Sequence, residues 1–113
     1  MKNISKEAEE GIAQLQAIEQ NLSNFMMQKQ SLQSHLLETE NALKELESAK
    51  EKVYKIIGTI MIASKKEDLK KDLASKKESL ELRLKTIDKQ EERLKKSAED
   101  IQKLVMKEIK NDQ

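Results

Sequence analysis

The sequence predicts a mainly α protein: a long antiparallel two-helix coiled coil with one central β-hairpin that joins a sheet shared between subunits or an oligomeric β-barrel. Three observations predict this fold class. Apolar residues recur at alternating steps of three and four in both halves of the 113-residue chain, a spacing typical of coiled coils. The two apolar stripes mirror each other about Gly58. Between them, residues 53–64 (VYKIIGTIMIAS) are rich in β-branched residues, which favour strands.

The composition excludes a spherical core. Charged residues make up 38% of the chain and hydrophobic ones 36%, against about 25% and about 45–50% in globular domains. Low apolar content with high charge is also typical of disorder, but the strict periodicity favours a coiled coil. The chain is therefore expected to form one domain over residues 1–113, with helix 1 at about 4–52, the hairpin at about 53–63 and helix 2 at about 65–110.

Charge and hydropathy exclude several classes of partner. The 22 basic and 21 acidic residues are well mixed, with one tyrosine and one phenylalanine, so the basic excess and stacking aromatics of nucleic-acid binders are missing. No run approaches the roughly 20 apolar residues that span a membrane. The chain has no cysteine and no apolar segment at its N-terminus, which predicts a cytoplasmic location without a signal peptide.

The first helix is predicted from a heptad pattern that no proline interrupts. The a positions are Ala8, Leu15, Leu22, Lys29, Leu36, Leu43 and Lys50, and the d positions are Ile4, Gly11, Ile18, Phe25, Leu32, Thr39, Leu46 and Val53. The exceptions to an apolar seam are Gly11, Lys29, Thr39 and Lys50. Gly11 costs about 1 kcal/mol of helix stability relative to alanine.

The second helix is predicted to begin after Ser64, because Ser64 and Glu67 fit the S-x-x-E capping box. Its seam is Leu69, Leu73, Leu80, Leu84, Ile87, Glu91, Leu94, Ala98, Ile101 and Val105. A break in phase near Lys76 and Lys77 predicts a stutter, which locally unwinds the supercoil.

The two seams predict an intramolecular helical hairpin. Seam residues equally distant in sequence from Gly58, such as Leu15 and Ile101 or Leu36 and Leu80, meet when two helices of equal rise run antiparallel. The alternative, one continuous helix that pairs between chains, would carry Gly58 and a β-rich segment at its centre.

The central segment predicts a β-hairpin that turns at Gly58 and Thr59. Glycine at the first central position suits a type II′ turn. The predicted cross-strand pairs are Ile57 with Ile60, Ile56 with Met61, Lys55 with Ile62 and Tyr54 with Ala63. Both faces of such a hairpin are apolar.

An isolated two-stranded hairpin is marginal in water, and open apolar strand edges favour pairing with other chains. The segment is therefore interpreted as an assembly element, and a helical or irregular linker is the alternative. The predicted oligomerisation residues are Tyr54, Ile56, Ile57, Gly58, Ile60, Met61 and Ile62.

Apolar residues beyond the seam accumulate near both ends of the chain. Flexible methionines and scattered aliphatic side chains suit adaptable binding, so the two ends are predicted to meet as a binding tip. The candidate residues are Ile4, Ile12, Leu15, Leu104, Val105, Met106 and Ile109. Three alternatives remain open: ordinary scattered exposure, disordered ends or packing against a neighbouring subunit. Leu37 and Leu82 also lie off the seam, without an explanation.

The sequence predicts neither catalysis nor a cofactor. The sole histidine, His35, has Glu38 one turn away, but a metal site needs three or four convergent ligands. No thiol nucleophile and no glycine-rich phosphate loop exist. Glu91 and Glu92 are adjacent in a helix and therefore point apart.

The chain resembles the β subunits of archaeal prefoldin along nearly its whole length. The resemblance is carried by QKQSLQSHLLETENALKEL (28–46), VYKIIGTIMI (53–62) and LELRLKTIDKQEERL (80–94). The middle and last stretches together are fairly specific, whereas the first is shared by many coiled coils. The α-type subunits of that family have two hairpins between their helices, and the single β-prone segment here indicates the β type.

This resemblance implies a function. It implies a hexamer of two α-type and four β-type subunits, in which the hairpins form a β-barrel platform and the coiled coils project from it. Non-native client polypeptides would be held at the coiled-coil tips and passed to a group II chaperonin without ATP hydrolysis. The alternatives are a structural or tethering coiled-coil subunit without client binding and, on His35 and the carboxylates alone, an enzyme or metalloprotein.

Overall fold

The computed structural model describes residues 5–50 and 52–111 and contains four elements in chain order. Helix α1 covers Lys6–Glu47, strand β1 Lys52–Ile57, strand β2 Ile60–Lys65 and helix α2 Lys66–Asn111. Two long helices that flank one antiparallel hairpin confirm the fold predicted for the single chain. Ile4 lies outside the described residues. Backbone contacts divide the chain into two compact units, Met1–Lys29 with Thr86–Gln113, and Gln30–Lys85.

In the first unit, the beginning of α1 packs against the end of α2. Ser5 caps α1, because its hydroxyl accepts the Ala8 backbone N–H at 3.1 Å and its carbonyl accepts that of Glu9 at 3.0 Å. The predicted seam is buried at Ala8, Gly11, Ile18, Ile87, Glu91 and Val105. Gly11 faces Val105, and these residues are equally distant in sequence from Gly58, as the mirrored seams predict for an antiparallel pair.

In the second unit, the seam is buried at Leu32, Leu46 and Leu80. Thr39, a polar seam residue, is also buried, and its hydroxyl donates to the His35 carbonyl one turn earlier at 2.8 Å. Its polar group is therefore satisfied within the helix. Lys77 is half-buried between the seam positions Leu73 and Leu80. Two successive four-residue steps, from Leu69 to Leu73 and on to Lys77, place the predicted stutter at Lys77.

Helix α1 ends at Glu47, five residues before the end that the heptad pattern predicts. Lys50 and Val53 are therefore not helix seam positions. The reason is competition for the backbone, since the β ladder extends as far as the pair Lys52–Lys65. The carbonyls left unpaired where a helix ends need other donors. The Lys66 ammonium supplies two bonds, to the carbonyls of Glu47 at 3.2 Å and Ala49 at 3.1 Å.

The predicted capping box at Ser64 is not formed. Ser64 belongs to β2 and pairs with Val53, and its hydroxyl donates to the Lys65 carbonyl at 3.4 Å. Helix α2 begins at Lys66 instead, with Glu67 and Asp68 in its first turn, where carboxylates stabilise the helix dipole. The strand pairing of Ser64 takes precedence over the local cap.

The hairpin has the register predicted from the sequence. Ile57 pairs with Ile60, Ile56 with Met61, Lys55 with Ile62 and Tyr54 with Ala63. Gly58 has φ +62°, and Thr59 does not have a positive φ, which is the combination that a type II′ turn requires. The turn type therefore sets which side chains share each face.

Candidate protein-interaction surfaces

The hairpin presents an apolar surface to solvent on both faces. Ile56 is 70% exposed, more than any other apolar side chain of the hairpin. The other exposed hydrophobic residues are Tyr54, Ile57, Ile60, Met61 and Ile62. Every non-glycine residue predicted for oligomerisation is thus exposed in the single chain, and Gly58 forms the turn.

Only the part of the hairpin next to the helices is partly covered. Val53, Lys55 and Ser64 are half-buried, and they share one face of the two strands. The sheet of the described chain has two strands, so each strand has one edge whose backbone groups lack a strand partner. Exposed apolar faces beside open edges are features of a surface that pairs with other strands.

The tip, defined as residues 5–15 with residues 101–111 of α2, contains the predicted client-binding residues other than Ile4. Leu104 and Met106 are 63% and 60% exposed. Ile12, Leu15 and Ile109 are half-buried. Val105 is only 8% exposed, so its side chain belongs to the helix seam and not to the exposed surface.

The two exposed apolar side chains of the tip have opposite electrostatic surroundings. Leu104 lines a cleft of about 240 Å³ whose rim includes the carboxylates Glu7, Glu10 and Glu108. Met106 lines a separate, shallow cleft of about 550 Å³ on α2, among Glu99, Gln102, Lys103, Lys107 and Lys110.

Close packing at Gly11 holds the tip together, and the sequence prediction missed it. An ideal Cβ on Gly11 would lie 2.5 Å from Cγ2 of Val105 and 3.5 Å from Cγ2 of Ile101. Only a residue without a side chain allows this approach. The Ser5 hydroxyl also donates to Oε2 of Glu108 at 3.3 Å. The signal was present in the sequence, because Gly11 and Val105 both occupy seam positions.

A polar cluster interrupts the seam of the first unit. The Lys29 ammonium lies 2.8 Å from Oδ1 of Asp88 and 2.8 Å from Oε1 of Glu91. Hydrogen bonds to Asp88 and then to Glu91 raise the pKa of Lys29 above its ordinary value. Lys29 and Glu91 were each predicted on a seam, but their pairing was not. The buried Glu91 carboxylate thus has a cationic partner.

The described residues contain no cluster suited to a metal ion. No group of three or more histidine, cysteine, aspartate or glutamate side chains is arranged there so that it could hold a metal ion. His35 is exposed, and its Nδ1 lies 3.8 Å from Oε2 of Glu38, as expected for a histidine on a solvated helix face. Within the same residues, no helix is both long enough and apolar enough to cross a membrane.

The fold and its two surfaces define a class: two-helix coiled coils that carry an exposed apolar β-hairpin between their helices. The prefoldin-subunit family profile matches residues 9–112. The chain belongs to the prefoldin family.

Individual relatives agree with the β type. The prefoldin β subunit of Archaeoglobus fulgidus is 43% identical over 96 residues, which cover 82% of this chain and 83% of that protein. The β subunit of Pyrococcus abyssi is 32% identical over 103 residues, covering 89% and 88%. The crystal structure of the prefoldin β subunit from Thermococcus strain KS-1 superposes with a TM-score of 0.85 at 31% identity, covering 95% of this chain and 96% of that one.

Proposed function

We propose that this chain is an ATP-independent holdase subunit that captures non-native polypeptides at its tip and delivers them to a group II chaperonin. The observation that carries this proposal is the exposure of Leu104 and Met106. The seam already uses Gly11 and Val105, so the helix pair leaves these two side chains uncovered. Ile12 and Ile109, which also belong to the tip, are half-buried.

The hairpin supports assembly as the second part of the proposal. An exposed apolar surface on both faces of a two-stranded sheet favours burial against further strands. We propose that hairpins of this chain and of an α-type subunit close into a β-barrel, in a hexamer of two α-type and four β-type subunits in the cytosol. Full closure would leave no strand edge unpaired.

The tip proposal is tested by removing apolar side chains without shortening the helices. Leu104→Ser with Met106→Ser should strongly reduce suppression of client aggregation, because the tip loses its exposed apolar area. The measurement is light scattering of a heat-aggregating enzyme in the presence of the assembled oligomer. The matched control is Leu37→Ser with Leu82→Ser, which removes two similarly exposed leucines from the other unit.

The result depends on the oligomer remaining intact, so native mass spectrometry accompanies each variant. Full protection by the Leu104→Ser, Met106→Ser oligomer would contradict the assignment of client binding to the tip. An equal loss of protection in the Leu37→Ser, Leu82→Ser control would show that exposed leucines contribute to client binding wherever they lie in the chain. Deletion of residues 1–12 and 102–113 is the coarser form of the same test.

A structural or tethering subunit without client binding is the competing function. The observation that favours it is the small size of the exposed tip, since Val105 is buried and Leu15 is half-buried on the seam. In that case the assembled oligomer would leave the aggregation of every client unchanged. The wild-type protein alone therefore distinguishes the two functions.

A further inference from the structure

The α2 face around Met106 has features of a docking site. Glu99, Gln102, Lys103, Met106, Lys107 and Lys110 line its cleft of about 550 Å³. Steps of three and four residues place these side chains on one side of a helix. The face is separate from the seam, because the buried seam residue of this turn is Val105.

Positive charge dominates this face. Three ammonium groups surround Met106, against the single carboxylate of Glu99. That carboxylate lies 3.6 Å from the Lys103 ammonium. Lys107 and Lys110 form no ion pair with any described residue. The helix dipole accounts for a lysine in the last turn, but not for Lys103, two turns earlier.

The charges around the other exposed apolar residue of the tip, Leu104, have the opposite sign. Leu104 lies only two positions before Met106, yet carboxylates of both helices surround its cleft. The tip therefore separates its charges, with anions around one exposed apolar side chain and cations around the other. Any segment that binds at Met106 therefore lies beside the lysine ammonium groups, whichever of its apolar side chains contacts Met106.

We propose that the Met106 face docks acidic segments of non-native polypeptides: an apolar side chain contacts Met106, and flanking carboxylates pair with Lys103, Lys107 and Lys110. This inference rests on the proposed holdase function and names the class of segment that the tip prefers. Methionine adapts to apolar side chains of different shapes. Charge at the rim then selects among segments and speeds their encounter. The cleft has no aromatic residue on which nucleic-acid bases would stack, which favours a polypeptide.

The test compares two fluorescent peptides with the same apolar residues. One carries glutamates at the flanking positions and the other carries lysines. Fluorescence anisotropy with the assembled oligomer should show roughly tenfold tighter binding of the acidic peptide at low salt, since several exposed ion pairs each add a small contribution. The difference should shrink as salt screens the charges.

Neutral substitutions locate the effect. Lys103→Gln, Lys107→Gln and Lys110→Gln together should abolish the preference for the acidic peptide, while Met106→Ser should weaken the binding of both peptides. The matched control is Lys89→Gln, Lys95→Gln and Lys96→Gln, which removes the same charge from exposed positions of the same helix. Circular dichroism and native mass spectrometry verify that each variant is folded and assembled.

Three outcomes would overturn the inference: equal or tighter binding of the basic peptide, an equal loss in the control variant, or tighter binding of a single-stranded RNA or anionic vesicles than of the acidic peptide. Aggregation assays with one acidic and one basic client separate the two proposals. If the wild-type protein protects neither client, the holdase function fails. If it protects both and the triple glutamine variant at the Met106 face behaves identically, only the preference for acidic segments fails.

Discussion

Gly11→Ala is expected to change the stability of the tip, and the sign of that change depends on the side chain at position 105, which contacts Gly11. In Gly11→Ala, the new Cβ would lie 2.5 Å from Cγ2 of Val105, whereas carbon atoms pack best at about 3.5–4.0 Å. Something must move by about 1 Å. Val105 is β-branched, so its χ1 is stiff in a helix and its methyl group cannot swing aside without cost.

Two opposing terms determine the free energy change. Alanine is about 1 kcal/mol more favourable than glycine inside a helix. Overpacking a close contact costs about 1–3 kcal/mol. The expected net result is that Gly11→Ala destabilises the tip by about 1 kcal/mol, although the substitution improves helix propensity.

The Val105→Ala background reverses the sign. Cβ of Val105 would lie 4.0 Å from the new methyl group, an ordinary van der Waals distance, so an alanine at position 105 leaves room for it. In that background Gly11→Ala should stabilise the tip by about 1 kcal/mol. The assay is hydrogen exchange of the α1 amides around Gly11, in which a change of 1.4 kcal/mol alters protection about tenfold.

The two backgrounds together separate helix propensity from packing. If Gly11→Ala raises protection from hydrogen exchange equally in the wild-type and the Val105→Ala backgrounds, helix propensity alone determines the stability at this site. The close approach of the two helices would then be refuted. A reduction in both backgrounds would point to another neighbour, for which Ile101 is the next nearest residue.

Two further predictions concern the hairpin and the polar cluster. Ile57→Asp or Ile60→Asp should lower the oligomer mass while helix content survives, because a carboxylate in an apolar interface costs several kcal/mol. Native mass spectrometry measures the oligomer mass, circular dichroism measures the helix content, and Leu37→Asp is the control. An unchanged mass would count against the barrel. Lys29→Met should lower stability to chemical denaturation, by the same amount at pH 7 and pH 9. Hydrogen bonds raise the pKa of Lys29 above its ordinary 10.5, so its stabilisation is complete below that value and is lost only as pH rises through the higher folded-state pKa. A deficit that disappears by pH 9 would contradict the assignment.

The sequence predicted best what short-range geometry determines. The register of the hairpin followed from placing Gly58 and Thr59 in a two-residue type II′ turn, which leaves one pairing for Ile57 and Ile60. The seams followed from periodicity, including the polar positions Lys29 and Glu91. In both cases the pattern that determines the structure can be read directly from the order of the residues.

What the sequence did not predict depends on competition or on two helices at once. Ser64 satisfies a local capping rule, yet its backbone is in the β ladder, and the same ladder shortens α1. Gly11 was interpreted only as a cost, because its benefit depends on how closely the two helices approach each other at Val105, a distance that the pairing of the seams does not give. The same contact buries Val105, as its seam position indicates, although it was also assigned to the binding tip.

Among the described residues, the hairpin is covered only near its base, at Val53, Lys55 and Ser64. The exposed side chains from Tyr54 to Ile62 are therefore not needed to hold the helices of the second unit together, whose seam has its own buried leucines. The surface proposed for assembly and the seam that holds the two helices together thus occupy different stretches of sequence. We therefore expect an exchange of the segment Lys52–Lys65 between related chains to leave the buried seam of the helices in place.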